Sequence, residues 1–228
     1  MIKAIRNNIP NAITSLNLFF GCMACIAALS NGCLVAPYII AINYIALSAV
    51  ADFLDGLVAR WLHAVSAIGK ELDSLADLVS FGLAPALILY SRMSQDLNDI
   101  WSLSALLLPV FGALRLARFN VDTNQATTFT GLPIPANAIF WIGFTDWYYQ
   151  YDCPVWIVVL LIVVMSLLMV CPLRMFSLKM HNLSSLKENW AQYLQIVATV
   201  AFVVLMGLPG LAAAIALYVL LSIIKREK

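Results

Sequence analysis

Eight long runs of apolar residues, separated by short polar stretches, make up most of this chain. They are residues 12–30, 37–60, 71–91, 101–119, 134–151, 154–171, 191–206 and 209–224. A helix needs about 20 mainly apolar residues to cross the hydrocarbon core of a bilayer. None of the runs alternates apolar and polar residues as the strands of a membrane barrel do. The pattern predicts an all-α integral membrane protein, with six to eight transmembrane helices and eight as the best count, in a single domain over 1–228.

The composition agrees with this pattern. Hydrophobic residues make up 63% of the 228 positions and charged residues 11%, whereas an average soluble domain carries about 25% charged residues. With a mean hydropathy of +0.91, the chain has too little polar surface to cover a globule in water. A soluble enzyme, a disordered protein and a nucleic-acid-binding protein are therefore excluded. The formal net charge of +1 indicates nothing about partners.

Lysine and arginine are concentrated on one side of the predicted spans. With an even number of spans both termini lie on the same side, and that side holds every Lys and Arg of the chain except Arg92. Positively charged residues favour the cytoplasmic side of a membrane. We therefore expect cytoplasmic termini in a multi-pass protein of the cytoplasmic membrane. The basic connection 172–189 is expected to be cytoplasmic as well, in contact with lipid headgroups.

The N-terminal region has two interpretations. A basic start ahead of an apolar stretch resembles a signal peptide. However, Asn11, Thr14 and Asn17 recur every three residues and would form a polar face that a cleaved segment does not need. We therefore expect a first spanning helix that begins at Pro10, whose missing N–H costs nothing at a helix start. Residues 1–9 would form a separate interfacial segment.

Four carboxylates in the second and third predicted helices carry the main chemical signal. Asp52 and Asp55 are three residues apart, and Asp73 and Asp77 are four apart, so each pair lies on one helix face. The two helices are antiparallel neighbours joined by a short connection. With a rise of about 1.5 Å per residue, the two pairs reach overlapping depths. All four side chains are therefore expected to converge.

Such a cluster is costly inside a membrane, where one Asp at the centre of a helix costs roughly 2.5 to 3.5 kcal/mol. Protonation would lower this cost, and so would salt bridges to Arg60 and Lys70, the two cations near in sequence. Two salt bridges would still leave two carboxylates unpaired, whereas a pair of divalent cations neutralises all four. Carboxylate oxygens favour Mg²⁺ or Mn²⁺ over Zn²⁺. We expect two such ions, with a metal-free acid–base network as the alternative.

Small residues and one arginine accompany the carboxylates. Gly56, Ala59 and Gly69 leave room there, although a glycine inside a helix costs about 1 kcal/mol relative to alanine. Close helix packing explains such residues, and so does a ligand that approaches the backbone. Arg60 at the helix end suits a phosphate, or it simply extends to the lipid headgroups. Metals, small residues and an arginine together indicate a substrate that carries a pyrophosphate, bound from the cytoplasmic side.

The spacing of these residues resembles the signature of a known enzyme family. From Asp52 to Asp77 the chain reads Asp-x₂-Asp-Gly-x₂-Ala-Arg-x₈-Gly-x₃-Asp-x₃-Asp, which matches the whole signature of the CDP-alcohol phosphotransferases. The sequence segments 79–85, 115–120 and 129–136 resemble the corresponding segments of family members that use serine as the acceptor. The resemblance implies a phosphatidyltransferase that converts CDP-diacylglycerol and L-serine to phosphatidylserine and CMP. It further implies membrane lipids as partners and a homodimer.

The resemblance also implies a role for each residue of the signature. Asp52, Asp55 and Asp73 would hold the metals, and Asp77 would share the second metal and act as general base on the serine hydroxyl. The nucleotide and the CDP-lipid would be bound by six residues: Asn11, Thr14, Gly56, Ala59, Arg60 and Gly69.

Recognition of serine needs a cation for its carboxylate. Arg115 and Arg118 are three apart at the cytoplasmic end of the fourth predicted helix, and Asn120 follows them. A bidentate pair between arginine and carboxylate suits this task, so these three residues are the predicted serine site. The alternative is that both arginines are ordinary residues of the positively charged cytoplasmic side.

Two other functions stay open from the residues alone. Within the family, the acceptor could instead be glycerol phosphate, inositol phosphate, choline or ethanolamine. In a different class, a divalent-cation transporter would also carry acids inside its helices. A transporter would place them near the bilayer midplane on discontinuous helices or inverted repeats. These carboxylates lie toward one face, and the sequence has no visible repeat, so the enzyme is favoured.

Overall fold

The computed structural model describes residues 2–30, 36–64, 66–96, 99–121, 129–176 and 189–224. These residues form eight helical stretches that match the eight apolar runs in order. Two compact units make up the chain, Met1–Pro109 and Val110–Lys228. The prediction of a single domain stays a prediction.

The first four helical stretches begin with two uninterrupted helices, α1 (Ile2–Leu29) and α2 (Pro37–Trp61). The third stretch is continuous but changes its winding, from α3 (Ala67–Asp77) through a π-helical segment (Leu78–Leu83) to α4 (Ala84–Asp96). The fourth stretch consists of α5 (Asp99–Ser102), a 3₁₀ segment (Leu103–Leu106) and α6 (Leu107–Val121).

The remaining stretches are four shorter helices: α7 (Ile134–Gln150), α8 (Val155–Val170), α9 (Trp190–Met206) and α10 (Pro209–Ile224). Two strands of two residues each, β1 (Phe129–Thr130) and β2 (Arg174–Met175), pair antiparallel and were not expected from the sequence. This small ladder leaves the all-α class unchanged.

Among the described residues, four helices are long and apolar enough to cross a membrane: Asn8–Leu29, Pro37–Trp61, Ala67–Gln95 and Ile100–Val121. Three others, α8, α9 and α10, are apolar but shorter. The all-α membrane class is therefore confirmed. The count of eight spans and the cytoplasmic termini stay predictions. The expected headgroup contact of 172–189 falls mostly on 177–188, outside the described residues.

The prediction that the first helix begins at Pro10 is wrong. α1 begins at Ile2, so residues 2–9 continue into the helix and Pro10 lies inside it. Proline removes one backbone hydrogen bond from a helix interior. Here that loss falls near the N-terminal end of the candidate span, which begins at Asn8. The helical turns before and after Pro10 are continuous. Whether the first residues lie along the membrane surface stays a prediction.

The polar face expected on α1 is confirmed, because Thr14 and Asn17 are buried and Asn11 is half-buried. In the first unit α1 packs against α2, α3, the π-helical segment and α4. Gly21 permits a close approach between α1 and the π-helical segment, since a side chain there would collide with the hydroxyl of Ser80.

In the second unit α10 packs against both α7 and α9. A Cβ added to Gly143 on α7 would lie 2.6 Å from the backbone nitrogen of Ala212 on α10, so glycine sets this close spacing. Gly207, with φ of 69°, ends α9 and lets the chain turn back into α10 as a helical hairpin.

Candidate active site

A cluster of carboxylates lies where α2 faces α3. Asp52 and Asp55 project from α2 and Asp73 from α3, and one carboxylate oxygen of each lies within 4.8 Å of the others. Asp55 is buried, and the other two are half-buried. The convergence expected from the i, i+3 spacing is therefore confirmed for these three side chains.

The connection between the two helices brings the carboxylates to the same level. Leu62 and Ala64 continue the hydrogen bonding of α2, with N–H groups that donate to Val58 at 2.8 Å and to Ala59 at 2.9 Å. Ser66 then caps α3, because its hydroxyl accepts a hydrogen bond from the Gly69 N–H at 3.0 Å. This short reversal places the end of α2 beside the start of α3.

Asp77 lies one turn further along α3, next to the cluster rather than inside it. Its side chain interacts with Asp52, Asp73 and Asn17. Its Oδ1 atom is buried without a hydrogen-bond partner, and so is Oδ2 of Asp55. Buried carboxylate oxygens without a donor are costly, and hard oxygen ligands are those that Mg²⁺ and Mn²⁺ prefer. The donor set and the orphaned oxygens therefore fit a divalent cation.

A cavity of about 210 Å³ opens beside the cluster, within the first unit. It is lined by residues of α1, α2, α3 and the connection between α2 and α3, namely Pro10, Asn11, Thr14, Asp55, Gly56, Ala59, Ala64, Ser66, Gly69, Lys70 and Asp73. Five of the six residues predicted to bind nucleotide are in this lining.

The sixth predicted residue, Arg60, is not in this lining, but its guanidinium lies beside Gly56, which is. A Cβ added to Gly56 would be 3.6 Å from the Nη1 atom of Arg60, which is an ordinary contact distance. Packing within the protein therefore does not require glycine at position 56, and its missing side chain leaves space in the cavity. Gly69 differs, because a Cβ there would lie 2.8 Å from Asn11 Oδ1.

Sequence reasoning missed four of the lining residues: Pro10, Ala64, Ser66 and Lys70. Ser66 carried a usable signal, since a serine ahead of a helix is a common N-cap. Lys70 was considered only as a salt-bridge partner of the carboxylates. Its position one residue after Gly69 in the first turn of α3 places it at the cavity, which adds a cation beside Asn11 and Ser66.

The second unit contains a cavity of about 340 Å³ that includes both arginines of the predicted serine site. Arg115 and Arg118 line it together with Thr130, Met169, Cys171 and three further residues, Phe119, Val170 and Pro172. Nη1 of Arg118 donates to the Val170 carbonyl at 3.0 Å, which fixes one side of its guanidinium.

Asn120, the third predicted residue of the serine site, is half-buried on α6 and is not among the residues that line this cavity. The structure therefore brings two of the three predicted side chains together. The asparagine, two residues beyond Arg118, lies on a different face of the helix.

The apolar helices and the carboxylate cluster define an integral membrane protein with an acidic site suited to a cation. A family model described as CDP-alcohol phosphatidyltransferase matches residues 7–150. The chain belongs to this family.

Several similar proteins are named CDP-diacylglycerol–serine O-phosphatidyltransferase. The one from Helicobacter pylori strain J99 is 40% identical over 132 residues, which are 57% of this chain and 54% of that protein. The one from Bacillus subtilis strain 168 is 41% identical over 129 residues, 57% of this chain and 70% of the relative. The Mycobacterium bovis protein is 34% identical over 227 residues, 95% of this chain and 73% of the relative. The chain thus spans about half the length of the Helicobacter protein.

Asp73→Asn tests whether mutual repulsion and cation binding dominate the cluster. Without divalent metal, loss of one of three crowded negative charges should raise the midpoint of thermal unfolding in detergent by several degrees. Saturating Mn²⁺ should raise the midpoint of the wild type but not that of the variant, since a ligand stabilises only the form that binds it.

Asp152→Asn is the matched control, because it makes the same change at an exposed carboxylate between α7 and α8, outside the first unit. It should change neither midpoint and should leave the response to Mn²⁺ intact. Equal Mn²⁺ responses in the wild type and in Asp73→Asn would contradict the assignment of the cluster.

Proposed function

We propose that this chain is a phosphatidyltransferase that converts CDP-diacylglycerol and L-serine to phosphatidylserine and CMP. The observation that carries the proposal is the carboxylate cluster open to a cavity lined by five residues of the predicted nucleotide site. Membership of the family supports the CDP-linked donor. The names of the relatives support serine as the acceptor.

Asp52, Asp55 and Asp73 would hold the metal ions, two Mg²⁺ or Mn²⁺, with Asp77 sharing the second. Bound there, the ions supply charge neutralisation for a transferring phosphoryl group and its leaving group. The proposal is supported by the distance of at most 4.8 Å between the three carboxylate oxygens. It is further supported by the buried Oδ1 of Asp77, which has no hydrogen-bond partner in the protein.

The cytidine diphosphate would occupy the cavity of the first unit. Gly56 and Ala59 leave bare helix surface for it, while Lys70 and Arg60 provide positive charge for the phosphates. The lipid tails would extend along the outside of α2. Phe53 on this helix is 64% exposed, which is normal for a side chain that faces hydrocarbon.

Asp77 would act as the general base. In the proposed step its carboxylate takes the proton from the serine hydroxyl, and the serine oxygen forms a bond to the phosphorus that carries the diacylglycerol. The bond from that phosphorus to the bridging oxygen breaks, and CMP leaves with both electrons of the bond. A carboxylate suits this role because its ionised form can accept the proton directly.

The carboxylate of serine would be held by Arg115 and Arg118. The cavity that these two side chains share in the second unit supports this assignment. The carbonyl of Val170 orients the guanidinium of Arg118, and an oriented guanidinium loses less entropy on binding a carboxylate. Asn120, the third residue predicted to bind serine, does not line this cavity.

The site would face the cytoplasm, where CDP-linked substrates and serine are available. The excess of Lys and Arg on one side of the predicted spans supports this orientation. We expect a homodimer from the family resemblance, and cross-linking in native membranes tests it directly.

Release of CMP by the purified protein tests the proposed reaction. With CDP-diacylglycerol and Mn²⁺, CMP should appear only after L-serine is added, and removal of the metal with a chelator should abolish it. Asp77→Asn keeps the shape of the side chain but removes the base, so turnover should fall at least about 100-fold. Asp152→Asn, the same change at an exposed position between α7 and α8, is the control.

Turnover with glycerol phosphate, inositol phosphate, choline or ethanolamine but not with serine would overturn the proposed acceptor. No CMP release with any of these alcohols would overturn the proposed reaction altogether. Cation flux in vesicles without any CDP-lipid would then favour the transporter.

Arg118→Lys tests the serine site. Lysine keeps the charge but loses the fork of donors, so the KM for serine should rise about tenfold while the KM for CDP-diacylglycerol stays unchanged. Arg60→Lys is the contrasting variant, because the same change beside Gly56 should raise the KM for CDP-diacylglycerol and spare serine. An unchanged KM for serine in Arg118→Lys would contradict the assignment.

A further inference from the structure

Asn17 is a polar side chain that the proposed reaction has not used. It lies within the candidate span Asn8–Leu29 of α1, and none of its surface is exposed. A buried amide costs free energy unless its donor and its acceptor are both paired. Leucine has almost the same size and would cost far less at this depth. The asparagine therefore needs a reason, and its contacts provide one.

Serine hydroxyls from two other elements bind Asn17. Ser48 on α2 donates to its backbone carbonyl at 3.1 Å. Ser80 in the π-helical segment lies 3.1 Å from the same carbonyl and 2.7 Å from the side-chain Oδ1. Because Oδ1 accepts from Ser80, the amide NH₂ group must point the other way. Ser80 thus fixes which end of the amide faces the site.

The NH₂ group of Asn17 faces Asp77. The two side chains interact, yet Nδ2 of Asn17 and Oδ1 of Asp77 are both buried without a partner at hydrogen-bond distance. One is a donor and the other an acceptor, and a carboxylate oxygen has two lone pairs, so Oδ1 can accept from the amide and still bind a cation. A hydrogen bond between Asn17 and Asp77 would join α1 and α3 directly, without a third described element.

The π-helical segment makes this arrangement possible. It begins at Leu78, directly after Asp77, and its wider turn carries Ser80 toward α1. A π-helical turn within an α-helix is rare and often occurs at functional sites. Gly21 leaves the space that Ser80 occupies, because any side chain there would collide with the serine hydroxyl. Ser80, Asn17 and Asp77 therefore form a short chain of polar groups.

We propose that Asn17 is a positioning residue for Asp77: its amide, oriented by Ser80, donates a hydrogen bond that holds the carboxylate toward the hydroxyl of the acceptor alcohol. This inference rests on the proposed function of Asp77. A neutral donor suits the position, since it orients a carboxylate without taking its proton or adding a charge to the acidic cluster.

Three single variants test whether Asn17 positions Asp77 or only fills space in the protein interior. Asn17→Leu removes the amide and keeps the number and branching of the side-chain heavy atoms. Ser80→Ala removes the group that orients the amide, and Ser48→Ala is the control. The Ser48 hydroxyl donates to the backbone carbonyl of Asn17 at 3.1 Å, whereas the Ser80 hydroxyl lies nearest to the side-chain Oδ1, at 2.7 Å. Each variant is compared with the wild type for kcat, for both KM values, for CDP binding and for the midpoint of thermal unfolding.

Asn17→Leu should lower kcat roughly tenfold or more, a part of what a general base contributes. Ser80→Ala should lower kcat by a smaller factor, because the amide can then rotate. Both KM values and the affinity for CDP should stay unchanged in these variants. Ser48→Ala should match the wild type in kcat. In a double variant that combines Asn17→Leu with Ser80→Ala, kcat should be no lower than in Asn17→Leu alone.

Equal kcat values for Ser80→Ala and Ser48→Ala would overturn the inference, and so would additive effects in the double variant. A parallel fall of kcat and CDP binding would indicate damage to the whole site and would overturn it too. If Asn17→Leu does not fold, the comparison of the two serine variants still decides. Absence of CMP release by the wild type would instead refute the proposed function.

Discussion

Repulsion among carboxylates in a medium of low dielectric constant is the constraint on which this structure depends. Two negative charges about 5 Å apart repel by roughly 3 kcal/mol even at an effective dielectric constant near 20. Three such pairs among Asp52, Asp55 and Asp73 would cost on the order of 10 kcal/mol, which is comparable to the stability of a whole domain. Helices α2 and α3 can hold these side chains together only if bound cations, neighbouring basic groups or protonation relieve this repulsion.

The packing of α1, α2 and α3 determines how the three carboxylates are surrounded. The short reversal capped by Ser66 sets the level at which the two helices face each other. Gly69 lets α1 approach α3 closely, and Asn11 fills the space that a side chain would need. The polar face of α1 then covers the carboxylates with amide and hydroxyl groups rather than hydrocarbon. A cavity of about 210 Å³, lined by residues of the three helices and of the connection between α2 and α3, remains open beside the carboxylates.

Much of this could be predicted from the sequence, because hydropathy and residue spacing are local properties. Apolar runs locate helices in a membrane protein reliably, since every backbone group must be bonded within the helix. The i, i+3 spacing of Asp52 and Asp55 places them on one face whatever the helix packs against. The roles proposed for the signature residues depend on the same spacing.

The rest depends on contacts that no local pattern encodes. The continuation of α1 through Pro10 reflects the turns on both sides of it, not the proline itself. The π-helical segment after Asp77 follows from no local pattern, and Ser80 within it packs closely against Gly21 of α1. Asp77 is not in the group of three carboxylates whose oxygens lie within 4.8 Å of one another, although its side chain interacts with Asp52 and Asp73.

The number of Mn²⁺ ions bound per chain at saturation, measured by electron paramagnetic resonance in the presence of CDP, addresses the central claim most directly. Two ions per chain are expected, with none bound after Asp52→Asn combined with Asp73→Asn. A wild-type protein that binds no Mn²⁺ would contradict the claim, because the carboxylates would then be held together by protonation or by neighbouring cations alone.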